Sequence, residues 1–224
     1  MKTSVVLSAA LLSILAACSS GVEAPNSQEV VARTVVAALK QSRQKPAPQM
    51  SRAQLEQLGV PVMEVSVERI GATGYLVPET EQSDSLGRSK TWQSSDNGSF
   101  TFRQGVLIAS RGFGFDLLSA SAPVSKGQAM GPASSASRHY VTRAGDYSEN
   151  KLDLTCTLGT TGHETIEILG KSHATRHLIE ACTSPEGNKV SNDYWIGLQD
   201  GVMWQSRQWA GPRMGYVRFR QIVN

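Results

Sequence analysis

Lys90-Thr91-Trp92-Gln93-Ser94-Ser95-Asp96-Asn97-Gly98-Ser99-Phe100-Thr101-Phe102-Arg103-Gln104-Gly105-Val106-Leu107-Ile108-Ala109-Ser110 is the stretch that decides the fold class. Three short runs, Lys90–Ser94, Ser99–Arg103 and Val106–Ser110, are separated by Asp96-Asn97-Gly98 and by Gln104-Gly105. Asn-Gly suits the positive φ angles of a tight hairpin, and β-branched and aromatic side chains fit a pleated surface. No run here is long enough for a helix. The stretch reads as consecutive antiparallel strands.

The same pattern extends in both directions. Upstream, Met63, Val65 and Val67 alternate with Glu64, Ser66 and Glu68, the period of a half-buried strand. Further strands are expected at Thr73–Pro78, Arg138–Arg143, Lys151–Leu158, Thr165–Leu169, Arg176–Cys182, Asp193–Leu198, Val202–Gln208 and Gly215–Val223, with a hairpin signal at Gln199-Asp200-Gly201. Many short strands without intervening helices predict a mainly β domain over residues 60–224, an antiparallel sandwich or partly open barrel. Residues 119–137 are small and polar and break the rhythm, as a loop or a weak helix.

Before Pro61 the period is helical. Asn26 or Ser27 can cap a helix over roughly 28–44, with Val31, Val35, Ala38 and Leu39 on one stripe. Ser51-Arg52-Ala53-Gln54 is a capping-box pattern, and Gly59 and Pro61 stop the short helix it starts. Together these make an N-terminal helical segment, 28–59.

The first residues are a targeting signal. Lys2 precedes an apolar run from Ser4 to Leu15, shorter than the ~20 residues of a membrane-spanning helix. The run ends Leu15-Ala16-Ala17-Cys18, which resembles the bacterial lipobox. That resemblance implies a signal peptide over 1–17, cleavage before Cys18, lipid and palmitate on its sulfur, and a tether over 18–27. Such acylation exceeds the two signals that stable anchoring requires. Ser19, where inner-membrane retention signals place Asp, directs the lipoprotein to the outer membrane by the same resemblance.

Three cysteines cannot all pair within one chain. With Cys18 carrying lipid, Cys156 and Cys182 remain, and an exported domain favours a disulfide between them. Neither has a CxxC partner, so no metal is expected.

The composition carries few chemical signals. Lys and Arg number 22 against 19 Asp and Glu, a formal charge of +3 without basic runs, so nucleic acid is not a partner. His173 and His177 have i, i+4 spacing but lack the Glu of a zinc-protease helix, and with His163 and Glu164 they read as surface groups near a turn. Arg111-Gly112-Phe113-Gly114-Phe115-Asp116 has two glycines of a dinucleotide loop without the third. No cofactor follows, and no nucleophile elbow is present.

Tryptophan beside Arg and Gln in Met203-Trp204-Gln205-Ser206-Arg207-Gln208-Trp209 suits sugar stacking, a protein hot spot or plain packing. Alternation sends Trp204 and Trp209 to opposite faces unless a bulge intervenes.

Thr91-Trp92-Gln93-Ser94, Gly105–Leu118 with its Arg111-Gly112-Phe113-Gly114-Phe115-Asp116, Tyr194-Trp195-Ile196 and Trp204–Pro212 follow one another in an order that resembles the YjbF/GfcB family of group 4 capsule and exopolysaccharide lipoproteins. The likeness spans roughly 60–224. It implies an outer-membrane lipoprotein with a mostly β domain facing the periplasm, working beside an outer-membrane β-barrel and a periplasmic partner in polysaccharide production or export. It implies no enzymatic reaction. The expected role is a non-catalytic scaffold, with Trp195, Trp204, Arg207, Trp209, Arg111 and Asp116 as candidate contacts to partner or glycan. A polysaccharide-binding module is the alternative. A glycan-modifying enzyme would need a carboxylate pair that sequence does not reveal.

Overall fold

A computed structural model describes residues 50–121, 135–146 and 148–224. The expected signal peptide (1–17), the expected tether (18–27) and the helix expected over 28–44 lie outside the described residues, as does most of 119–137. Ser51 caps a short helix, α1 (Arg52–Glu56), and the expected capping box is present: the Gln54 amide nitrogen donates to Ser51 Oγ, and the Ser51 amide donates to Gln54 Oε1 at 2.8 Å.

Twelve strands follow: β1 (Val62–Val67), β2 (Ala72–Asp84), β3 (Gly87–Gln93), β4 (Ser99–Arg103), β5 (Val106–Arg111), β6 (Leu117–Ala120), β7 (Ser135–Arg143), β8 (Glu149–Ile168), β9 (Lys171–Thr183), β10 (Lys189–Gly197), β11 (Met203–Trp209) and β12 (Tyr216–Val223). Their order in the sheet is β5-β4-β3-β2-β1-β12-β11-β10-β9-β8-β7-β6. Every neighbouring pair is antiparallel. The chain is therefore an up-and-down meander whose first and last strands pair, leaving the seam between β5 and β6. Of the two architectures expected, this is the nearly closed barrel and not the sandwich.

Three details differ from the sequence expectation. Lys151–Leu158 and all but the last residue of Thr165–Leu169 belong to one strand, β8, because the chain runs through Gly159–Gly162 with a bulge at Thr160/Gly162 and does not turn there. β6 was not anticipated, being four residues after a glycine-rich run. The ends of β2 and β9 extend past the apolar alternation that marks them, held by hairpin pairing and by side chains from elsewhere: Arg103 on Asp84 at the β2 end, Arg52 and Trp204 at the β8–β9 end.

Inward side chains fill the barrel. Val65, Trp92, Phe100, Phe102, Val217 and Phe219 belong to one buried cluster. Phe219 on β12 meets Phe100 edge-on at 5.1 Å and Phe102 at 4.8 Å, although β12 and β4 are not neighbours in the sheet. Such rings touch only across the interior, so the barrel is a packed core and not a pore.

The seam is closed by side chains. Gln208 on β11 accepts from the Leu107 amide at 2.8 Å and donates to the Gly105 carbonyl at 2.9 Å. Arg138 on β7 reaches the Leu107 carbonyl, and Arg111 donates to the Leu117 and Leu118 carbonyls. Buried backbone groups of an edge strand must find partners or carry a penalty, and here side chains from β6's side and from across the barrel supply them.

The interior also holds a polar knot. Arg138 and Glu180 are fully buried and lie 3.3 Å apart. Glu180 accepts from Tyr194 Oη at 2.8 Å and Asn192 Nδ2 at 2.7 Å, and Arg138 Nε donates to Tyr140 Oη. Burial raises the Tyr140 and Tyr194 phenols above their ordinary value. The Arg138 guanidinium is also raised: desolvation opposes its charge, but the surrounding Tyr140 and Glu180 outweigh it. Beside the knot, Cys156 and Cys182 are joined in a disulfide between paired positions of β8 and β9. Their sulfurs lie near Glu180, but bonded to each other they are not metal ligands.

Candidate functional site

Outward positions on five neighbouring strands form a band of charge and aromatic surface. In register, Glu64 on β1 lies beside Arg220 on β12, then Gln205, Trp195 and His177 on β11, β10 and β9. One step along the strands, Ser66, Arg218, Arg207 and Asp193 make a parallel row. The alternation of β-strand side chains puts all of them on the outer face, Glu64 buried against Arg220, while Val65, Phe219, Ser206 and Tyr194 turn inward.

Two of the sequence candidates meet here. The indole of Trp195 stacks on His177 with centroids 4.3 Å apart and planes 6° from parallel. Its Nε1 donates to Glu164. His177 in turn bonds Asp193 through Nε2 at 2.9 Å and has Glu164 3.7 Å from Nδ1. Arg207 forks onto Glu68 through Nε and Nη2, both at 2.8 Å, and covers the Tyr216 ring at 3.7 Å. Arg207 holds the Glu68 carboxyl below its ordinary value, and the Glu68 carboxylate raises the guanidinium in return. The two side chains are thus fixed in place while still partly open to solvent, at 29% and 28% exposure. Pre-held Trp and Arg side chains of this kind are the residue types that dominate protein interfaces.

Trp204 and Trp209 sit differently. The pairing of β10 with β11 slips between Trp195 and Ile196, so a bulge does intervene at Trp204. Trp204 is buried in an outer cluster with Leu55, Val62, Ile168 and Ile222, where α1 and the end of the β8–β9 hairpin pack together. His173 stacks on it at 3.7 Å, and its Nε1 donates to Asp200. Burial, then Lys171, lowers the His173 imidazole below its ordinary value. Arg52 locks the hairpin end down by donating to the Ile168, Leu169 and Ile222 carbonyls. Trp209 packs edge-on against Tyr140 at 4.9 Å, and its amide donates to Asn192 Oδ1. Trp204 is thus covered, and Trp209 is half-buried.

Arg111 and Asp116 do not pair with each other. Asp116 is buried and accepts from the Phe113 amide and Ser110 Oγ, closing the turn after β5, while Arg111 ties β5 to β6. Gly112 is required: its φ is +93°, and a Cβ would lie 2.9 Å from the Asn97 carbonyl.

Sequence spacing singles out His177 and Glu164 only as surface groups near a turn, and it carries no signal for Glu68, Asp193 or Tyr216. The i, i+2 spacing of Asp193 and Trp195 puts them on one face, but only strand register brings His177 and Arg207 beside them.

A family sequence model described as "Group 4 capsule polysaccharide lipoprotein gfcB, YjbF" matches residues 32–222. Among solved structures, the crystal structure of the hypothetical lipoprotein YmcC from Escherichia coli K12 is similar, with a TM-score of 0.69 and 19% identity over 90% of this chain and 97% of that one. At that identity the likeness speaks to the fold. No curated protein matches the chain.

Proposed function

Because the chain belongs to the YjbF family of group 4 capsule polysaccharide lipoproteins, we propose that it is a lipid-anchored, non-catalytic accessory protein of extracellular polysaccharide production or export at the outer membrane. Cys18 carries the lipid, the β domain faces the periplasm, and the Trp195–Arg207 band holds an outer-membrane β-barrel exporter or its periplasmic companion.

The observation that carries this reading is the distribution of charge. Glu64, Arg220, Arg218, Arg207 and Asp193 lie on the outer face of the barrel, and its interior is packed with Phe100, Phe102 and Phe219. A membrane-spanning barrel has the opposite arrangement, an apolar outer band around a polar interior. A solid body with a polar surface works beside the membrane. A lipid tether then supplies high effective concentration near an exporter without a large interface.

Photocrosslinkers placed at Trp195 and Arg207 of the full chain in native membranes test the reading. Adducts to an outer-membrane barrel or a periplasmic export protein are expected. Trp195→Ala with Arg207→Ala should lower extracellular polysaccharide while the protein level is unchanged, and Cys18→Ser should release it from the membrane. Crosslinks to neither class of protein, with polysaccharide output unaffected, overturn the reading.

A further inference from the structure

One end of the barrel opens into a cavity of about 280 Å³ that the surface band does not use. This is just below the ~300–1,000 Å³ typical of ligand sites, room for one ring-sized group and not for a chain. Its apolar wall is Trp92, Phe102 and Phe219, and its polar wall includes Lys90, Arg88 and Gln104.

The i, i+2, i+4 spacing of Arg88, Lys90 and Trp92 puts all three on one face of β3. Lys90 Nζ lies 4.6 Å over the Trp92 ring. The carboxylate opposite Lys90 in register, Glu81, is held by Arg88 at 3.1 Å. Among the described residues Lys90 has no ion pair, and the cavity lining includes no carboxylate side chain. Two further groups are left with one function to offer. Gln221 spends its amide nitrogen on the Val62 and Val223 carbonyls, which leaves its oxygen as an acceptor. Ser206 Oγ accepts from Gln208 at 2.9 Å, which leaves its hydroxyl proton to donate.

We propose that this cavity binds a single carboxylate-bearing sugar residue, of the uronic acid class, with its carboxylate on Lys90, its hydroxyls on Gln104, Ser206 and Gln221, and its C–H face against the aromatic wall. Hydrogen-bonding groups on one wall and rings on the other match a hydroxylated ring. An acyl chain would leave those polar groups unpaired, which costs affinity. The choice of a saccharide rests on the proposed role in polysaccharide production; the site itself stands on the cavity.

The test is titration of the full chain in nanodiscs with D-glucuronate, D-glucose and octanoate, followed by the NMR signal of the Trp92 indole. Glucuronate should shift that signal with a Kd of about 1 mM, and glucose should bind at least ~10-fold more weakly. Lys90→Gln should remove the preference for glucuronate while the unfolding temperature stays unchanged. No shift up to tens of millimolar with the fold intact, equal binding of both sugars, competition by octanoate, or an unaffected Lys90→Gln variant each overturn the assignment. Failed crosslinking with glucuronate binding intact would sink the exporter reading alone; the reverse pattern would sink only this one.

Discussion

Glu180→Ala strikes the buried polar knot where its cost is greatest. Glu180 and Arg138 are 1% and 0% exposed, and the Glu180 carboxylate also accepts from Tyr194 and Asn192. Removing it leaves the Arg138 guanidinium buried without its counter-charge, which costs about 3–5 kcal/mol. Taking ~4 kcal/mol, and roughly 2–4 °C per kcal/mol for a domain of this size, the unfolding temperature should fall by roughly 8–16 °C. Thermal unfolding of the full chain in nanodiscs, followed by near-ultraviolet circular dichroism, measures this. The paired replacement Arg138→Met with Glu180→Leu separates charge from packing. It should be more stable than Glu180→Leu alone, since no orphaned charge remains. A loss below about 1 kcal/mol for Glu180→Ala, or a double variant as poor as the sum of its singles, would refute the account of the knot as a coupled charge pair.

Three other outcomes are expected. Gln208→Ala should orphan the Leu107 amide and the Gly105 carbonyl, each worth ~1–3 kcal/mol, and hydrogen exchange at Leu107 should accelerate while β12 stays protected. Reduction of Cys156–Cys182, with a sequence separation of 26, should destabilise by ~3–4 kcal/mol on the loop-entropy model, visible as a reductant-dependent melting temperature. Arg207→Ala should let the Glu68 carboxyl rise back toward its ordinary value of 4.5 in a carboxyl NMR titration. Its folded value is depressed, so its contribution to stability is present above 4.5 and fades as pH falls through the lower folded value. The Arg207→Ala variant should lose most of that acid-side dependence, Arg218 keeping the remainder.

Several parts of the fold are local and can be read residue by residue. Ser51 and Gln54 define a capping box because three residues of helix bring their groups together. Asp96-Asn97-Gly98 sets a reversal because Asn97 adopts a positive φ of 64° there. Ser99–Arg103 needs only its own alternation, and the strand has those bounds. Gly159–Gly162 misleads for the same reason: taken locally it breaks a strand, yet pairing with β9 carries β8 through it.

The sequence by itself determined that this chain is mainly β, built of antiparallel strands, and it carried the family likeness. Those signals lie in nearest-neighbour periodicity and turn chemistry. Only the tertiary structure decided that β1 pairs with β12, that the seam falls between β5 and β6, and that Trp195 stays at the surface while Trp204 is covered. Alternation assigns a side chain to one of two faces, but what covers that face is fixed by strands far away in sequence. For Trp204 the cover is α1 and the β8–β9 hairpin end. For Trp195 it is a histidine and a carboxylate that leave the indole within reach of solvent.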